Sequence, residues 1–205
     1  MKNPIKHCKI CFKNFENEDF YELINSDSYI CKECQNRLVP KFIKFSVDGV
    51  DALAVYEYDD TIKSLLYQLK GCYDIELAPI FLNRFKKELH LRYGKYVLLP
   101  APSYYVDDEK REFKHVDEIF KVLNLPILSC FRKISPFKQA EHSKKEREEI
   151  IEHIRLIDGE KLANKKVLII DDVTTTGSTL RALVQLAKTA NPKTIKILVM
   201  SKRII

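Results

Sequence analysis

The stretch VLIIDDVTTTGST, residues 167–179, constrains this chain more than any other. Four apolar residues bounded by turn-forming ones read as a buried strand. Asp171 and Asp172 follow at its carboxyl end, and a Thr/Gly/Ser turn then leads into a helix beginning near Ser178. Leu180, Leu183, Val184 and Ala187 repeat at helical spacing, and Asn191-Pro192 ends the pattern. A strand–turn–helix with acids and hydroxyls at the turn belongs in a parallel sheet, where ligands bind outside the carboxyl ends of the strands.

The rest of the chain supplies that sheet. Val50, Ala52, Ala54 and Tyr56 alternate as in a half-buried strand. Asp60 and Thr61 are positioned to cap a helix carrying Ile62, Leu65, Leu66 and Leu69, with Gly71 as its stop. Ala78, Phe81, Leu82, Phe85 and Leu89 mark a second helical stripe, with Pro79 in its first turn. YVLLPAP is a strand ended by prolines, Val116, Ile119, Phe120 and Leu123 are helical, and PILSCF and IKILVM are short strands. Residues 132–147 carry six Lys/Arg against two Glu without apolar period and read as a long basic loop. The expected fold is therefore α/β, a mostly parallel sheet flanked by helices over residues 45–205.

Residues 1–44 need a different explanation. Cys8-x2-Cys11 and Cys31-x2-Cys34 are separated by nineteen residues, the spacing of a four-cysteine zinc site. Four thiolates close a tetrahedron with no open position, so Zn2+ bound there is structural. FYELINSDSYI between the pairs reads as two short strands about a turn, a zinc-ribbon-like module too small to bury its own core. The N-terminus MKNPIKHCKICFKNF lacks an apolar leader segment, and no apolar run is long enough to span a bilayer. The expected compartment is a reducing cytoplasm, where cysteines bind metal in preference to forming disulfides. Cys72 and Cys130 are isolated and read as half-buried apolar residues. The net charge of +6 permits an acidic partner. Lys9, Lys13, Lys32, Arg37, Lys41 and Lys44, with Phe12 and Phe15, could form a basic aromatic patch suited to single-stranded DNA, and a packing or protein-contact module is the equal alternative.

At 171–179 the chemistry is that of a phosphate seat. A helix N-terminus offers unpaired N–H groups, Gly177 lets the backbone curl, and Thr174, Thr175, Thr176, Ser178 and Thr179 supply hydroxyls. Asp171 and Asp172 cannot hold the phosphate themselves, because like charges repel; they suit a neighbouring sugar diol or the water shell of Mg2+. The absence of Gly-Lys-Thr and of G-x-G-x-x-G separates this loop from P-loop and dinucleotide-binding motifs.

Val167 through Thr179 resemble the ribose-5-phosphate loop of type I phosphoribosyltransferases. That resemblance implies that Asp171 and Asp172 contact the ribose hydroxyls of phosphoribosyl pyrophosphate (PRPP), and that Thr175 to Thr179 cradle its 5-phosphate. Together with the cysteine module, the chain resembles the ComF family of competence proteins. YEYDDTIKSLLYQLKGCYDIELA, LPAPSYYVDDEKREFKH, and Gln139, Ser143 and Arg147 fall on further landmarks of that family. Arg111 and Phe113 keep the family's pattern, whereas Glu112, Lys114 and His115 stand in place of Gly, Asn and Gln, and Ile150 in place of an Asn. The resemblance implies a role in natural transformation with PRPP and Mg2+, single-stranded DNA and other DNA-uptake proteins as partners. If transfer occurs, Asp171, Asp172 and Arg111 are the candidate catalytic residues, and Lys114, Lys133, Lys138 and Arg147 join Arg111 on the leaving pyrophosphate. Six-oxopurine transferases place an acid where Thr175 stands, which argues against purine salvage. A metabolic phosphoribosyltransferase with another nitrogenous acceptor and a PRPP sensor without turnover remain the alternatives.

Overall fold

The computed structural model describes residues 7–14, 29–134 and 153–204. Its centre is a five-stranded sheet in the order β1-β2-β7-β6-β3. β1 (Ile43–Val47) and β2 (Val50–Glu57) form an antiparallel hairpin at one edge. β2, β7 (Thr194–Lys202), β6 (Lys166–Thr174) and β3 (Val97–Pro100) are mutually parallel. A second, two-stranded antiparallel sheet pairs β4 (Phe131–Lys133) with β5 (Ile154–Leu156).

Helices cover both faces of the larger sheet. Leu168 and Ile170 of β6 face one core with Leu65, Leu66 and Leu69 of α2 (Asp60–Gly71), Leu89 of α3 (Lys86–Tyr93) and Ile119 of α5 (His115–Phe120). Val167 and Ile169 face the other core with Leu180, Leu183 and Val184 of α6 (Ser178–Lys188) and Phe131 and Ile154 of the β4–β5 hairpin. The alternation follows from the period-2 geometry of a strand sandwiched on both sides. Cys8, together with Ile30, Cys31, Cys34 and Leu38 in and around α1 (Lys32–Arg37), belongs to the first core, and Lys9 ion-pairs with Glu76 at 2.7 Å. The N-terminal module therefore packs on the α/β unit.

Several local expectations change in three dimensions. β2 is buried on both faces, because it lies between β1 and β7 with side chains in both cores. Asp59, not Asp60 or Thr61, caps α2, its carboxylate accepting the Ile62 N–H at 2.8 Å. The stripe Ala78–Leu89 is broken into 3-10 segments at Ile75–Ile80 and Asn83–Phe85 before α3 begins. Pro79, without an N–H, lies inside the first of these segments. PILSCF contributes a single bridge, Ile127 to Leu98, before the chain enters β4. Cys130 is buried, but Cys72 is exposed at the end of α2. Most of FYELINSDSYI, Phe15 and residues 135–152, with Lys138, Gln139, Ser143, Arg147 and Ile150, lie outside the described residues.

Candidate functional site

The crossover after β3 runs through α5 on one face of the sheet, and the crossover after β6 runs through α6 on the other. Chains leaving adjacent parallel strands in opposite directions open a crevice at their carboxyl ends. The loop 174–178 stands at that crevice.

β6 extends to Thr174, so both aspartates lie within the strand. Asp171 lies beside Val199 in the β6–β7 register, and Thr174 beside Lys202. Successive strand residues point to opposite faces. Asp172 meets side chains of α2 and α5, while the Asp171 carboxyl lies against Asp172 itself. Their surroundings differ accordingly. Asp172 Oδ2 is ion-paired with Lys70 Nζ and stands 3.5 Å from His115 Nε2, while Oδ1 accepts the Val173 N–H at 2.8 Å. Asp171 Oδ1 accepts the Asp172 N–H at 2.9 Å. Burial disfavours charge at both acids. At Asp172 the Lys70 ammonium, with the His115 imidazole beside it, outweighs burial and holds the carboxyl far below the usual carboxylate range. At Asp171 burial and the neighbouring Asp172 charge act together and push the carboxyl well upward.

Gly177, at φ +75°, is the N-cap of α6. Only glycine takes this left-handed conformation without a steric penalty. The turn brings Thr176 Oγ1 and Ser178 Oγ to 2.8 Å, and Arg181 donates from its guanidinium to the Thr176 carbonyl at 2.7 Å. Thr175, Thr176 and Thr179 are exposed, Gly177 and Ser178 half-buried, and Thr174 buried beneath them. The hydroxyl side chains and the first N–H groups of α6 form a cradle fitted to an anion.

Arg111 ends α4 (Tyr105–Arg111), and its guanidinium donates to Asp108 Oδ1 at 3.2 Å; Asp108 Oδ2 accepts the Ser103 hydroxyl at 2.5 Å. Arg111 is thus a largely buried cation with its charge already met, and its Nε has no hydrogen-bond partner among the described residues. Glu112 follows at φ +63°, where the resembling family carries glycine. Lys114 precedes α5, and Lys133 lies on β4.

The sequence reading missed the partners of Asp172. Lys70 was legible as part of the Lys-Gly turn that resembles the ComF family's, at the end of the apolar stripe of α2, but not as a partner of Asp172. His115 was legible only as a departure from the family's pattern. A groove of about 580 Å³ runs beside Lys70, lined by Tyr58, Lys63, Ser64, Tyr67, Gly71 and Val173.

The sulfur atoms of Cys8, Cys11, Cys31 and Cys34 all lie within 4.8 Å of one another. Cys11 Sγ and Cys31 Sγ are 3.7 Å apart, against about 3.8 Å for the edge of a ZnS4 tetrahedron with ~2.3 Å bonds. Burial raises the Cys8 thiol, but backbone hydrogen bonds at Cys11, Cys31 and Ile10 outweigh it and lower it to about 7. Burial, reinforced by the neighbouring thiols, pushes Cys34 upward. One thiolate among crowded thiols is a donor set that a soft divalent cation completes. Of the basic patch, Lys9 is engaged by Glu76, and Lys13 stands 3.8 Å from Glu33, while Phe12 is exposed. Among the described residues, no helix is long and apolar enough to cross a membrane.

Residues 116–204 match the family model of the phosphoribosyl transferase domain. The chain is 26% identical over 199 aligned residues to competence protein ComFC of Streptococcus pneumoniae, covering 85% of this chain and 88% of that protein. Among solved structures, the allosteric regulatory enzyme of purine biosynthesis aligns with a TM-score of 0.40 and 14% identity over 60% of this chain. The chain spans about a quarter of that enzyme, 26% of its length. A hypoxanthine phosphoribosyltransferase from Staphylococcus aureus aligns with a TM-score of 0.41 and 18% identity, over 61% of this chain and 72% of that one. The fold itself is read from this chain's own parallel sheet and its helices on both faces. The chain is similar to ComFC along most of both chains, and the part of it that contains β6, its turn and α6 matches the phosphoribosyl transferase domain, which together support a ComFC-like chain of the phosphoribosyltransferase type.

Proposed function

We propose that this chain binds PRPP with Mg2+ at the β6–α6 turn and acts in natural competence, where it handles incoming single-stranded DNA on the cytoplasmic side. The single observation that supports the first half most is the cradle: a left-handed Gly177 opening α6 at the carboxyl end of a central parallel strand, ringed by hydroxyls. The second half is drawn from the likeness to ComFC.

In this reading the N–H and hydroxyl groups of Thr175 to Thr179 hold the 5-phosphate, with Thr174 beneath them. Asp171 and Asp172 hold the ribose diol. Mg2+, bound beside Asp171 and Asp172, would supply charge neutralisation for the leaving group. If a nitrogenous acceptor reacts, its lone pair attacks the anomeric carbon, the bond to pyrophosphate oxygen breaks, and a proton leaves the nitrogen. The protein's share is to align the partners and stabilise the departing charge. Zn2+ on Cys8, Cys11, Cys31 and Cys34 is structural and keeps the N-terminal module on the core.

A second reading, a PRPP sensor without turnover, is favoured by the pairing of Arg111 with Asp108, which leaves less positive charge for a leaving group. Calorimetry with PRPP and Mg2+ tests the shared step: the wild type binds saturably, and Gly177→Val, which puts a β-branched residue at φ +75°, loses binding. No heat with the wild type removes both readings. Pyrophosphate release in the presence of nitrogenous acceptors then separates transferase from sensor. A gel-shift titration with single-stranded oligonucleotides at low salt tests the DNA half; no retardation removes it.

A further inference from the structure

We propose that Lys70 is an exchangeable counter-ion: it holds Asp172 in the free protein and turns to the pyrophosphate oxygens when PRPP binds. The inference rests on the PRPP reading and adds to it a residue outside the phosphoribosyl transferase match.

Two nitrogen groups meet one oxygen. Asp172 Oδ2 faces both Lys70 Nζ and His115 Nε2, while Oδ1 is taken by the Val173 N–H. The two partners differ in depth. The His115 side chain is 8% exposed, like Asp172 at 7%, whereas Lys70 is 33% exposed and also lines the groove of about 580 Å³ beside α2. Removing the sole partner of a buried carboxylate is strongly unfavourable. Here the deeper imidazole stays when the shallower ammonium leaves. Lys70 stands on a flexible four-carbon stem at the last turn of α2, so it can move without the helix moving.

The charges give the exchange a direction. A sugar pyrophosphate brings several negative charges to a site that already holds two acids. The guanidinium of Arg111 is committed to Asp108. The partly exposed Lys70 ammonium beside Asp172 lines a groove through which it can turn. Ribose 5-phosphate, which lacks the pyrophosphate, gives Lys70 nothing to turn to.

Calorimetry with two ligands in the presence of Mg2+ tests this on the full chain: PRPP and ribose 5-phosphate, each against wild type, Lys70→Met and Lys70→Arg. The expected result is a loss of about ten- to a hundredfold in PRPP affinity for Lys70→Met, the worth of a charge-assisted hydrogen bond. Ribose 5-phosphate affinity should stay within about threefold of wild type, which also shows that the variant is folded at the site. Lys70→Arg should recover most of the PRPP affinity. Unchanged PRPP affinity in Lys70→Met overturns the proposal. An equal loss of both ligands overturns it too, since Lys70 would then act only by holding Asp172. A wild-type protein that binds neither ligand removes the PRPP reading and this inference with it.

Discussion

Asp171→Asn should stabilise the free protein while impairing sugar-phosphate binding. The Asp171 carboxyl is raised by burial and by the Asp172 charge. The hydrogen bond from the Asp172 N–H to Oδ1 at 2.9 Å can be kept by the oxygen of an amide. The substitution therefore removes a charge penalty and preserves the local geometry. Functional-site charges relieved in this way return about 1–2 kcal/mol, or about 2–8 °C in Tm for a chain of this size. The pH dependence identifies the cause. With a folded pKa above the unfolded value of about 3.9, the native state holds the extra proton between the two, so wild-type stability falls as pH rises through that window. The gain of Asp171→Asn should be complete above the folded pKa and vanish below about pH 4. Asp172 behaves oppositely: its lowered pKa contributes stability above about pH 4 that is lost on further acidification, in wild type and variant alike. Thermal melts of both proteins without ligand, from neutral to acid pH, measure the difference. A variant less stable than wild type at neutral pH, or a gain independent of pH, would refute the reasoning.

If the four cysteines hold zinc, Cys31→Ser should abolish the metal found by metal analysis and cost about 4 kcal/mol or more, the range in which loss of a metal site falls. Because Cys8, Cys31 and Cys34 share a core with α2, α3 and α5, the melt should shift as one transition; a separate early transition would contradict that packing. Tyr56→Phe removes the hydroxyl that donates to the buried Phe81 carbonyl at 2.8 Å and should cost about 1–3 kcal/mol in denaturant unfolding. Glu112→Gly should gain up to about 1 kcal/mol by relieving the left-handed backbone at φ +63°; a loss would mean that the Glu112 side chain makes a compensating contact.

The parts of the fold written in local pattern were legible. Val167–Ile170 and Ile195–Met200 are short apolar stretches bounded by turn-forming residues, Leu180–Ala187 carries a helical period, and each forms the expected element. The breaks at Ile75–Ile80 and Asn83–Phe85 were not legible, because an apolar stripe persists through 3-10 turns. β2 alternates in sequence yet is buried on both faces, since Asp51 alone among its first residues reaches solvent and burial of the rest is set by the distant β7. At the site, the turn at Gly177 was legible because glycine and hydroxyls announce a backbone geometry. The splitting of the two acids was not, because it depends on β6 continuing past Ile170 and on Lys70 and His115 arriving from separate helices. The sequence showed Arg111 as a free cation; its capture by Asp108 is a consequence of α4 placing the two three residues apart on one helical face.

The central claim is that the β6–α6 turn seats a sugar 5-phosphate. Phosphorus NMR of PRPP titrated with the protein and Mg2+ tests it most directly. The account predicts that the 5-phosphate resonance shifts saturably with the wild type and stays put with Gly177→Val. A 5-phosphate signal that does not respond to the wild type, whatever the pyrophosphate signals do, would contradict it.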